Sequence, residues 1–94
     1  MIKISETVRT SYAPDGAVLL DVSQGKIYGL NPVASRILRL LAEGLDSEQI
    51  QSEISREFTR DLETVRKDVT EFLAQLAKHR LIAGDGKVPG NGGS

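Results

Sequence analysis

DGAVLLDVSQGKIYGLNPVASRILRLLAEG, residues Asp15–Gly44, is the stretch whose reading decides how this chain folds. Ala17 to Val22 is a short run rich in Val and Leu, the composition of a central β-strand. Ser23-Gln24-Gly25 follows as a turn, and Lys26-Ile27-Tyr28-Gly29-Leu30 reads as a further short strand paired to the first as a hairpin. Asn31-Pro32 then starts a helix abruptly. An Asn side-chain oxygen accepts a hydrogen bond from an orphan amide, and Pro at the first helical position loses nothing by lacking an N–H. Val33, Ile37, Leu40 and Leu41 put apolar groups on one face of that helix, and Gly44 is suited to end it.

Upstream, residues 7–12 alternate, with Val8, Thr10 and Tyr12 on one face and Thr7, Arg9 and Ser11 on the other, the period of a half-buried strand. Ala13-Pro14-Asp15-Gly16 carries Pro and Gly where a type I turn wants them. Three strands joined by short turns form a meander in chain order, which leaves Lys26–Leu30 at an edge. Downstream, a second helix starts at Asp46, with Gln49 completing a capping box, Leu45 and Ile50 as a hydrophobic staple, and Ile50, Ile54 and Phe58 as its buried stripe. A third helix caps on Asp61 and runs to about Arg80. Val65, Val69, Phe72 and Leu76 form its stripe with Leu73 on the shoulder. Glu63 near its start and Lys78, His79 and Arg80 near its end suit the helix dipole. Leu81 and Ile82 return to the core, and from Gly84 the composition becomes a flexible Gly-rich tail, 84–94. The expected fold is therefore α+β, one domain over residues 1–83, with a three-stranded antiparallel sheet followed by three helices in a winged-helix-like order.

Composition narrows the function. The chain has 94 residues, no Cys, one His and a formal net charge of −1. Lack of Cys removes disulfides, thiolate metal sites and a Cys nucleophile. The single His79 sits between Lys78 and Arg80 at a helix end, where it complements the dipole better than it would hold a metal. Carboxylates alternate with basic residues through the helical half as on a solvated surface, and no hydroxyl has a base beside it. No enzyme chemistry and no cofactor are expected. No apolar run approaches the ~18 residues of a membrane span, and no signal-peptide pattern opens the chain, so the expectation is a soluble cytoplasmic protein without a membrane partner.

Three binding readings remain. A winged-helix-like DNA-binding module is the alternative reading, but its recognition helix would mix Glu63, Asp68 and Glu71 with Arg66 and Lys67, whereas phosphate contact favours a basic surface. Only the Gly-rich tail follows the helices, where a wing would form. No nucleic-acid partner is expected. A second alternative is a dimer that pairs two edge strands across a two-fold axis. The favoured reading is peptide binding by strand addition, because an edge strand offers unpaired N–H and C=O groups to an extended segment. The candidate site comprises Lys26, Ile27, Tyr28, Gly29 and Leu30 on the edge strand, with Gly29 allowing close approach of a second backbone. Val65, Val69 and Phe72 form the wall on the third helix, bordered by Asp68 on one side and by Arg66 and Leu73 on the other. Either border can face the strand on sequence grounds.

These residues carry a family resemblance. D-G-x-V-L-L-D, then G-x-x-Y-x-L-N-P, an apolar helix ending in E-G, D-S-E-Q-I and the closing D-V-T-E-F-L-A-Q-L helix with Arg80-Leu81-Ile82 resemble the PqqD-like family over about residues 5–83. Its members are small recognition elements for leader peptides of ribosomally made, modified peptides. The quinone-cofactor branch usually has a Pro-Glu-Gly turn where this chain has Ser23-Gln24-Gly25, and G-L-N-P-V-A-S-R-I-L looks more like the stand-alone recognition proteins of lasso-peptide biosynthesis. The resemblance implies that a precursor leader adds as an antiparallel strand beside the third helix. It also implies that the tethered precursor passes to a separate leader protease and a cyclase.

Overall fold

A computed structural model describes residues 2–83; the expected tail lies outside them. Its elements in chain order are β1 (Lys3–Ile4), β2 (Val8–Ala13), β3 (Gly16–Asp21), β4 (Lys26–Leu30), α1 (Pro32–Ala42), α2 (Ser47–Glu57), α3 (Leu62–Lys78) and β5 (Ile82–Ala83). The three expected strands are β2, β3 and β4, paired antiparallel in that order. The sheet was legible as a meander, and the three helices follow it as the α+β reading requires. A second, two-stranded sheet was not expected: β1 pairs antiparallel with β5, Ile4 opposite Ile82, and joins the two ends of the described chain. Strands of two residues are too short to show alternation.

Short-range chemistry shapes each element. The β2–β3 register runs from Val8 opposite Asp21 to Ala13 opposite Gly16, across a two-residue turn at Pro14-Asp15. Asn31 Oδ1 accepts from the Ala34 N–H at 2.8 Å, and Asp61 accepts from the Thr64 N–H at 3.1 Å. Asp46 and Gln49 exchange both bonds of a capping box, at 2.8 and 2.9 Å. Gly44, at φ 98°, ends α1 with the paired bonds of a Schellman motif, its own N–H to Leu41 O and the Leu45 N–H to Leu40 O. The end of α3 uses the same geometry with Arg80, φ 60°, in the place glycine usually holds. That left-handed residue stops the helix at Lys78, short of the expected Arg80, and turns Leu81 into the core.

Val8, Ala17 and Leu19 point from the sheet towards the helices and are buried with Ile37, Leu38, Ile50, Ile54, Val65 and Val69. The inward stripe of α3 is rotated relative to the sequence reading: Leu73 joins Val65, Val69 and Leu76 in the core, while Phe72 is only half-buried. Phe58, at the end of α2, is likewise half-buried. Phe72 and Leu73 are neighbours and both apolar, so only the packing of α3 against α2 decides which one turns inward. Arg36 and Glu57 join α1 to α2 through two parallel bonds of 2.8 Å, a bidentate pair whose partners raise the Arg36 and lower the Glu57 pKa.

Candidate peptide-binding site

β4 pairs with β3 along one side, and among the described residues nothing pairs with the other. The register sets Leu30 opposite Ala17 and Tyr28 opposite Leu19, so Tyr28 and Leu30 point inward and are half-buried. Lys26, Ile27 and Gly29 are exposed. The strand runs directly into α1 through Asn31, and beside this junction an open cavity of about 500 Å³ separates the start of α1 from α3. Val33, Ala34 and Ile37 form its α1 wall; Asp68, Phe72 and Gln75 are on the α3 wall.

Three contacts tie α3 to its surroundings. Near its start, Arg60 approaches Asp68 at 3.5 Å. At its far end the Tyr28 and His79 rings meet at 5.3 Å between centroids, and the Gln24 side-chain amide donates to the His79 carbonyl at 3.2 Å. The C-terminal end of α3 is thus fastened to β4 and to the turn before it.

The structure brings together only part of the expected wall. Phe72 and Asp68 line the cavity. Arg66 pairs with Glu63 at 2.6 Å and lies away from it. Val65 and Val69 are 0% exposed and Leu73 is 5% exposed; they support the wall from behind. The Asp68 border is therefore the one that faces α1. The sequence reading did not include Val33, Ala34, Ile37 and Gln75. The signal for Val33, Ala34 and Ile37 was position, the first two turns of a helix that begins where an edge strand ends; Gln75 lies three residues beyond Phe72 on the same face of α3.

Asp21 is a further residue to which the sequence reading gave no role. It is fully buried at the end of β3, where its carboxylate accepts from the Ser23 N–H at 3.0 Å, Ser23 Oγ at 2.9 Å, the Gln24 N–H at 3.3 Å and Gln24 Nε2 at 2.6 Å. Burial by itself would raise its pKa; the hydrogen bonds from Ser23 and Gln24 outweigh that and hold it below the ordinary value of 3.8. The stabilisation is complete above the unfolded value and is lost as pH falls through the lower folded one. Wild type is thus expected to be more stable than Asp21→Asn at neutral pH, with the gap closing below roughly pH 4. Thermal unfolding of both proteins from pH 2 to 7 checks this, and a gap of constant size would contradict it. Because Gln24 also holds His79, Asp21 helps position the C-terminal end of α3.

Among the described residues no group of three or more His, Asp or Glu side chains is arranged to hold a metal ion. No described helix is long and apolar enough to cross a membrane.

Residues 16–82 match the family model described as coenzyme PQQ synthesis protein D, PqqD. No curated protein matches significantly. Among solved structures, the chain is similar to TbiB1 in complex with the TbiA(β) leader peptide, at 40% identity and a TM-score of 0.81, over 87% of this chain and 95% of that one. It is also similar in fold to a lasso peptide synthetase B1 complexed with its leader peptide, at 18% identity and a TM-score of 0.80, over 88% and 98% of the two chains. With the family model spanning most of its length and the same sheet and helices in place, the chain belongs to the PqqD family, as a PqqD-like recognition element.

Proposed function

We propose that this chain is a non-catalytic adaptor for the leader segment of a ribosomally made precursor, a lasso-peptide precursor in its closest reading. The leader adds as an antiparallel strand to the free side of β4, through backbone bonds that need no particular sequence. Its inward side chains enter the groove between α1 and α3, where apolar anchors contribute most of the affinity and border charges set register. A separate leader protease and a cyclase then act on the tethered precursor.

The observation that carries this reading is the juxtaposition of an unpaired edge strand with a cavity at its end, lined by Val33, Ile37 and Phe72 together with Asp68 and Gln75, in a chain 40% identical to a protein seen with a leader peptide. Two probes test it by fluorescence anisotropy: the TbiA(β) leader peptide and the leader of a short precursor encoded in this gene's neighbourhood. Micromolar or tighter binding of at least one is expected. Failure of both to bind at hundreds of micromolar contradicts it.

A further inference from the structure

Gly29 occupies the middle of an edge strand, where glycine weakens the strand and adds no packing. Its backbone is not in the left-handed region, and nothing lies within 4 Å of the place a Cβ would take. Neither conformation nor crowding inside this chain calls for glycine at that position. In the ladder Gly29 faces Val18, and Ile27 faces Leu20. Paired residues share a face, so Val18, Leu20 and Ile27 all stand on the outer side of the sheet, away from the helices. They are exposed at 48, 37 and 71%. The missing Gly29 side chain leaves a notch among them, with Ile27 beside it and Val18 behind it.

That notch opens onto the free side of β4. A strand added there, in either direction, sets one residue beside Gly29 with its side chain on this outer face. Neighbouring strands are about 4.8 Å apart, so Val18 lies about two such spacings from the added strand. A small side chain falls short of that distance. A large one lying across the bare Gly29 backbone reaches it, as aromatic side chains do over glycine in paired strands.

Building on the leader-binding reading, we propose that the Gly29 notch is a second side-chain-selecting site on this protein. The leader residue paired with Gly29 is large and apolar, aromatic by preference, and packs over Gly29 onto Val18 and against Ile27. The groove between α1 and α3 reads leader residues of one parity, and the notch reads the other. Two faces of one added strand are thereby selected independently.

The test uses whichever of the two leaders binds more tightly, with each residue replaced in turn by Ala. The panel is titrated against wild type, Gly29→Val and Val18→Ala. Gly29→Val fills open space with a good strand former, and Val18→Ala probes the same contact without altering the edge. One leader position, holding a large apolar residue, is expected to lose about tenfold in affinity for wild type on substitution by Ala, and much less for either variant. It is expected an odd number of residues from the positions sensitive to Phe72→Ala. Binding that stays dependent on Phe72 but shows no position coupled to Gly29 and Val18 overturns the notch and leaves leader binding standing. Absence of binding by every peptide overturns both.

Discussion

Gly16→Ala is expected to destabilise the domain by about 3 kcal/mol or more, a large part of the 5–15 kcal/mol that holds a small domain together. Gly16 opens β3 at φ 149°, a conformation essentially reserved for glycine and costing other residues about 1–3 kcal/mol. An added Cβ would also stand 2.1 Å from the Leu30 carbonyl oxygen. That oxygen belongs to backbone at the junction of β4 and α1, so the neighbour cannot simply swing aside. Relief requires the turn or the junction to move, and the junction sits beside the groove. Urea unfolding followed by circular dichroism measures the effect. A midpoint close to that of wild type would show that the approach of the β2–β3 turn to Leu30 is not required.

Phe72→Ala is expected to weaken leader binding by roughly ten- to a hundredfold, which corresponds to loss of about 1.5–3 kcal/mol from one large apolar contact. Phe72 is half-buried and lines the cavity, so on the proposed binding mode its truncation removes ligand contact while the fully buried residues behind it stay in place. Calorimetric titration of the variant, with its thermal midpoint as a control for folding, separates the two effects. Unchanged affinity would remove α3 from the binding surface. Val69→Asp is a poor substitute, because Val69 is wholly enclosed and a carboxylate there would be buried without a partner.

Much of the fold was legible because its signals are local. Asn31-Pro32, the Asp46–Gln49 box and Asp61 each act within three residues, and all three cap the helices that the pattern places there. The meander followed from short turns, which leave adjacent strands little choice of partner. What stayed hidden depends on distant residues. The β1–β5 pair joins residues some eighty positions apart through two-residue strands. The facing side of α3 depends on its rotation against α2, which a run of adjacent apolar residues at Phe72 and Leu73 does not specify. Asp21 is the exception, a local feature to which the sequence reading gave no role. Its signal was Ser23 and Gln24, donors placed two and three residues on, as in an Asx turn.

The departure from the Pro-Glu-Gly turn also acquires a physical meaning. Ser23 and Gln24 satisfy Asp21, Gly25 takes φ 67° with its N–H on the Asp21 carbonyl at 2.7 Å, and Gln24 reaches on to α3. A turn that fastens the last helix to the sheet holds the C-terminal end of α3 beside β4.

Amide hydrogen exchange across Lys26–Leu30, with and without saturating leader peptide, is the most direct measurement of the central claim. A leader that pairs with the free side of β4 slows exchange at those amides that point away from β3, while the amides already paired to β3 change little. A leader that binds with equal affinity but leaves every β4 amide exchanging at its free rate would contradict strand addition to that edge.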